Sequence, residues 1–139
     1  MAESVFLDTN VLLYSIGQDN TRTPIAEGLV EAGGIISVQV LNELAAVAHR
    51  KLKMPWPDVL DALAAIRTLC PVVVPITLET HDAALRLATR YDVSIYDALI
   101  MAAAIDAGCT LLYSEDLQHG QVIEGRLTIR NPFAGSQGR

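Results

Sequence analysis

Apolar positions along the chain switch repeatedly between short continuous runs and helical spacing. Val5-Phe6-Leu7 is a brief apolar run stopped by Asp8, and Asn10-Val11-Leu12-Leu13-Tyr14 can then turn into a helix. Thr23 precedes Pro24, which predicts a capped helix with an Ile25, Leu29, Val30 stripe that ends at Gly33-Gly34. Ile35-Ile36 reads as the next strand. Ser37 can cap a helix running toward Lys51, with Val40, Leu41, Leu44, Val47 and Ala48 facing a core. After Pro55-Trp56-Pro57, Val59, Leu60, Leu63, Ile66 and Leu69 keep helical spacing, and the β-branched Val72-Val73-Val74 between two prolines predicts a short strand. Thr77 opens a further helix carrying Ala84, Leu85 and Ala88, and Ser94 opens SIYDALIMAAAIDAG, which stops at Gly108. Thr110–Tyr113 and Leu127–Ile129 are the late strands, followed by a loose GSQGR end.

Short apolar strands alternating with longer amphipathic helices predict an α/β sandwich with a mostly parallel central sheet. No linker or internal repeat interrupts the pattern. One domain is expected over residues 1–133, with residues 134–139 as a flexible tail.

Composition narrows this picture. The chain has 139 residues, a usual size for one domain, and 51% hydrophobic content, ample for one aliphatic core. No apolar stretch approaches the length of about 18 residues that a membrane span needs, so no membrane partner is expected. The start lacks the basic region and long apolar run of an export signal, and Cys70 and Cys109 stand alone as reduced packing residues. These features together point to the cytoplasm. The net charge of −6 argues against nonspecific coating of nucleic acid by the whole surface, although a bound cation can invert the sign of an acidic cleft. Arg50, Lys51 and Lys53 form the one basic cluster that could hold phosphate, or else a solvated helix end.

Four acids carry the candidate chemistry. Asp8 and Asp116 each follow an apolar strand, so in a parallel sheet both emerge at carboxyl ends, the edge where α/β proteins build sites. Either could instead cap the following turn. Glu43 borders the apolar stripe of its helix, where it could reach a cleft or simply face water. Asp97 heads another stripe and fits a Ser94-x-x-Asp97 capping box, a role compatible with ligand binding. Carboxylates that converge repel one another unless protonated or balanced by cations. An oxygen set without a His/Cys cluster suits Mg²⁺ or Mn²⁺ better than zinc.

FLDTNVLLY, VLNELAAVAHRK, YDALIMAAAIDAG and LLYSEDLQHG, in this order, resemble the motifs of the PIN-domain family, and among its members the VapC-like toxins of type II toxin–antitoxin pairs. The similarity runs from Val5 to about Asn131. It implies a PIN-like α/β/α sandwich and a Mg²⁺-dependent endoribonuclease, with Mn²⁺ an alternative and one or two ions during turnover. Asp8, Glu43, Asp97 and Asp116 would be the catalytic and metal-binding acids, Asn10 a polar helper and Glu115 a contributor behind them. Arg22, Arg50, Lys51 and Lys53 would contact RNA, and His119 is either a further contact or a solvent-facing loop residue. The resemblance also implies structured RNA such as tRNA as substrate, a cognate antitoxin, and a homodimer. A noncatalytic RNA-binding or protein-interaction domain and a Mg²⁺-dependent phosphatase are the competing readings. The latter is disfavoured because Asp8-Thr9-Asn10 lacks the two-aspartate opening of a haloacid-dehalogenase-like phosphatase.

Overall fold

The computed structural model describes residues 4–136. Val5–Leu7 forms β1, and its backbone is shared by parallel neighbours on both sides. On one side lies β4 (Leu111–Tyr113), with Phe6 opposite Leu112. On the other, a parallel bridge joins Phe6 to Ile35. This bridge leads into β2 (Ile36–Ser37), itself paired in parallel with β3 (Val73–Val74). Beyond β4, β6 (Leu127–Arg130) continues the parallel arrangement, and β5 (Val122–Ile123) closes the edge antiparallel to β6. Counting the bridge, the strands lie in the order β3-β2-β1-β4-β6-β5. Strand order reverses between β1 and β4, so a crevice opens at their carboxyl ends.

Helices flank the sheet and complete the predicted α/β/α sandwich. They are α1 (Thr9–Ile16), α2 (Arg22–Glu31), α3 (Val38–Arg50), α4 (Trp56–Leu69), α5 (Leu78–Tyr91) and α6 (Ile95–Asp106). α6 is apolar all round: Ala98 through Ala104 are all buried. A helix with that pattern belongs inside. Its alanines let neighbouring elements approach closely while Leu99, Ile100 and Met101 fill the space. Phe6, Leu12, Leu44, Leu112, Ile129 and Phe133 complete the largest part of the core. No helix among the described residues is long and apolar enough to cross a membrane.

Hydroxyl side chains close the helix ends that the sequence marks. Ser37 accepts the Val40 amide at 3.2 Å, Thr77 the Thr80 amide at 3.1 Å and Ser94 the Asp97 amide at 3.0 Å. Thr23 is a correction. α2 starts earlier, and the Asp19 carboxylate accepts the Thr21 and Arg22 amides at 3.0 and 2.7 Å. The Thr23 hydroxyl donates to the Tyr14 carbonyl at 2.7 Å instead, tying α2 back to α1. Leu60, Leu69 and Leu85, expected in apolar stripes, are exposed. β5 was not anticipated. It forms because Glu124 and Gly125 both take left-handed backbone angles (φ 55° and 64°), and the Arg126 amide closes the turn on the Ile123 carbonyl at 3.0 Å. Beyond residue 133, Ala134–Ser136 form a single 3₁₀ turn, and the remainder of the expected tail, 137–139, lies outside the described residues.

One glycine is required by packing. A Cβ on Gly34 would sit 2.6 Å from Cγ of Leu7, which is fully buried and cannot swing away. Gly34→Ala is therefore expected to destabilise the fold by about 1–3 kcal/mol through overpacking against β1. Urea unfolding measures it, and an unchanged midpoint would contradict the packing described.

Candidate active site

The apolar run of β1 ends at Asp8 because this residue turns the chain from strand into α1. Its backbone is extended (φ −76°, ψ 165°), and its Oδ1 accepts the Thr9 amide at 2.7 Å. The capping role and a role in a site thus coexist. Oδ2 points across the seam to β4, where it accepts the Ser114 hydroxyl at 2.7 Å and the Asn10 amide at 3.4 Å.

Ser114 is wholly buried and works as a hub. Besides donating to Asp8, its oxygen accepts the Asp116 and Leu117 amides, both at 3.2 Å. Asn10 bridges the same gap from α1. Its Nδ2 donates to Asp116 Oδ2 at 3.2 Å, and its Oδ1 accepts the Glu115 amide at 3.1 Å. The loop after β4 is thereby fastened to the start of α1. Reasoning from sequence missed Ser114, and the only signal was a small hydroxyl residue between an apolar strand and two acids.

Glu43 reaches the same place from α3. Its two carboxylate oxygens accept the Thr9 hydroxyl at 2.9 Å and the Gln39 side-chain amide at 2.8 Å. Thr9 and Gln39, the latter also missed, convert a half-buried glutamate into a fixed one. Asp97, in the first turn of α6, is half-buried on the opposite wall. The cleft they share has a volume of about 810 Å³, lined by Thr9, Asn10, Glu43, Asp97 and Asp116, with Arg50 and Lys51 at its rim. Asp8 lies just beneath its floor, 3% exposed.

The expected auxiliary residues divide. Glu115 turns away from the acids: its carboxylate accepts from Arg22 Nε at 2.6 Å and from the Tyr14 hydroxyl at 2.8 Å. Arg22 also lies over the Tyr14 and Phe133 rings, 5.4 and 5.8 Å from their centroids. It is a brace behind the cleft, not one of the residues lining it. Lys53 is exposed and does not line the cleft either. His119 is exposed, and its Nδ1 accepts the Asn131 amide at 2.9 Å, which holds the loop to the end of β6.

Electrostatics follow from this geometry. Burial pushes the Asp8 carboxyl up to about 6, and the charges of Glu43 and Asp97 add to it, against the lowering effect of the Ser114 and Thr9 hydrogen bonds. Asp97 is raised as well, by burial first and then by Glu43 and Asp116. Asp8 and Asp97 thus both feel neighbouring carboxylates across one space. Among the described residues, no three His, Cys, Asp or Glu side chains are drawn together into a ready ligand group for one ion. The donors are nonetheless all oxygen, and the mutual repulsion is of the sign a hard divalent cation relieves.

Taken together, these features define an α/β domain with an acidic cleft at the switch point of its sheet. The sequence model of the PIN domain matches residues 5–124, and the chain belongs to that family. Comparison with curated proteins gives no match. Among solved structures, the fold is similar to VapC20 of Mycobacterium tuberculosis, a Sarcin-Ricin loop cleaving toxin. The TM-score is 0.67 at 25% identity, covering 81% of this chain and 90% of that one. A toxin–antitoxin complex from Klebsiella pneumoniae aligns with a TM-score of 0.70 at 19% identity, over 93% of this chain and 98% of that one. VapBC2 from Rickettsia felis, solved bound to a promoter DNA fragment, gives 0.66 at 20% identity, over 91% and 97%. The last two likenesses concern the fold alone.

A pH dependence follows. Asp8 titrates at 3.8 when unfolded and at about 6 when folded, so its ionisation costs stability as pH rises through that window. In metal-free protein, Asp8→Asn should be more stable than wild type above pH 6, by up to about 3 kcal/mol, with no gain below about pH 4. Paired denaturant titrations in chelator test this. A gain that is equal at both ends of the range would contradict the assignment.

Proposed function

We propose that the chain is a metal-dependent endoribonuclease that hydrolyses RNA phosphodiester bonds, acting as a cytoplasmic toxin held in check by a cognate antitoxin. The observation that carries this reading is the gathering of Glu43, Asp97 and Asp116 around one cleft with Asp8 beneath its floor, from four separated segments. Family membership and the likeness to a toxin that cleaves the Sarcin-Ricin loop support it.

Asp8, Glu43, Asp97 and Asp116 would hold one or two Mg²⁺ ions, or Mn²⁺. When bound, such an ion supplies Lewis acidity, making water a better nucleophile at neutral pH and offsetting charge that builds on the phosphodiester. The chain's own groups orient the participants. Ser114 and Thr9 fix the Asp8 carboxylate, leaving its charge directed at the cleft floor. Thr9 and Gln39 prevent Glu43 from rotating into solvent, which saves the entropy of ordering it when substrate arrives. The Asn10 amide, already between Asp8 and Asp116, is placed to hold a water or a phosphate oxygen. Arg50 and Lys51 attract the RNA backbone to an otherwise acidic opening, a local steering effect that net charge does not reveal.

Structured RNA such as tRNA is the proposed substrate class. The antitoxin is inferred because the structural neighbours include toxin–antitoxin complexes. Exposed apolar side chains, among them Leu60, Leu78 and Leu85, give area for such a partner or for a second copy in a homodimer.

Asp8→Asn and Asp97→Asn should each lower the rate of RNA cleavage in Mg²⁺ by about 100-fold or more while leaving the circular dichroism of the native fold intact. Cleavage at wild-type rate by both folded variants would refute their roles. Turnover of a small phosphate ester with no RNA cleavage would favour a phosphatase instead, and saturable RNA binding with no product in Mg²⁺ or Mn²⁺ a noncatalytic binder.

A further inference from the structure

The indole of Trp56 is 52% exposed, although a side chain of this size and apolarity normally finds cover. It stands at the first position of α4, stacked on His49 near the end of α3 with ring centroids 4.0 Å apart and planes inclined by 19°. Two hydrogen bonds and a sharp turn hold the pair. Nδ1 of His49 lies 3.0 Å from the Met54 carbonyl, which can only accept, so this nitrogen carries the proton. The Met54 amide returns to the Ala48 carbonyl at 3.1 Å. Lys53 takes a left-handed backbone (φ 59°), which reverses the chain sharply enough to bring Trp56 over His49. The turn thus presents a rigid, flat aromatic surface to solvent.

The turn itself is basic. His49 to Pro57 reads HRKLKMPWP, with Arg50, Lys51 and Lys53 ahead of the first acid, Asp58 in the opening turn of α4, in a chain whose net charge is −6. Arg50 and Lys51, which follow His49 in the chain, also line the acidic cleft, so the basic residues run from the cleft toward the aromatic pair. From Glu43 to His49 the helix advances about 9 Å. We infer that His49 and Trp56 form a stacking platform for an unpaired nucleobase of the RNA, with Arg50, Lys51 and Lys53 holding the adjacent phosphates. Aromatic faces beside a basic track are how proteins take single-stranded nucleic acid without reading its sequence. The inference rests on the ribonuclease reading and deepens it, because it requires that the RNA be unpaired next to the cleaved bond.

Trp56 is the only tryptophan, so intrinsic fluorescence reports this surface alone. The test titrates the Asp8→Asn protein in Mg²⁺ with a single-stranded RNA of about ten nucleotides, an abasic strand of equal length, and a duplex. Saturable quenching is expected with the single strand and not with the other two. Trp56→Leu should weaken single-strand binding by roughly 10- to 100-fold, Trp56→Phe should retain most of it, and thermal melting should confirm that both fold. Replacing Lys51 or Lys53 by Ala should reduce the slope of log affinity against log salt by about 0.7 each. No quenching by the single strand, equal quenching by the abasic strand, or unchanged affinity in Trp56→Leu would overturn the platform. So would spectral change that follows protein concentration without RNA, which would mark a surface for a second copy. Cleavage of RNA by wild type is scored separately. Cleavage with a silent indole sinks the platform alone, and quenching without cleavage sinks the ribonuclease reading alone.

Discussion

A carboxylate buried in the seam between two parallel strands is the constraint around which this molecule is organised. Asp8 stops β1, starts α1 and faces β4 across the reversal in strand order. Removing a charge from water is expensive unless hydrogen bonds or counter-charge compensate. The Thr9 amide, the Ser114 hydroxyl and the Asn10 amide compensate only partly, since the carboxyl still titrates at about 6. Hydrophobic packing then fixes the position of the unfavourable group. Phe6, Leu7 and Leu112 are completely buried, so the strand ends cannot drift apart to let water in. Stability of the core sustains a site that electrostatics alone would disperse.

The same seam explains how two adjacent acids acquire different surroundings. After Ser114, the chain carries Glu115 and Asp116 side by side, and the Asn10 side chain touches both: it accepts the Glu115 amide and donates to the Asp116 carboxylate. Arg22, which lies over two aromatic rings, then takes the Glu115 carboxylate, 18% exposed, at 2.6 Å. Paired with Arg22 there, the Glu115 carboxylate is turned from the cleft, and of the two adjacent acids Asp116 is the one that lines it. The brace also explains the separation of cationic roles. Arg22 orders the loop behind the acids, while Arg50 and Lys51 stand at the opening on α3.

How much of this was legible in the sequence depends on the range of the interaction. The strand ends at Asp8 and Asp116 could be seen because VFL and LLY are short apolar runs with an acid close behind. Glu43 and Asp97 could be placed at the edges of stripes, and caps at Ser37, Thr77 and Ser94 are local by nature. What could not be seen was which partner each polar group would choose across the chain. Ser114 meets Asp8 over 106 residues and Arg22 meets Glu115 over 93, and no spacing rule encodes either. The exposure of Leu60, Leu69 and Leu85 escaped for a related reason: periodicity marks an apolar face but not whether this chain covers it. β5 escaped because its two residues alternate over too short a stretch, and Glu124-Gly125 is a weaker turn signal than Asn-Gly or Asp-Gly.

We propose that the carboxylates gathered around Asp8 receive a divalent cation, which would relieve the repulsion that helps to raise Asp8 and Asp97. Calorimetric titration of the protein with Mn²⁺ near pH 6, repeated in buffers of different ionisation enthalpy, decides the matter. Saturable binding that releases about half a proton or more is expected, because Asp8 would give up its proton to accept the ion. The release should largely disappear in Asp8→Asn. Absence of binding, or binding with the same proton count in wild type and Asp8→Asn, would contradict the proposal.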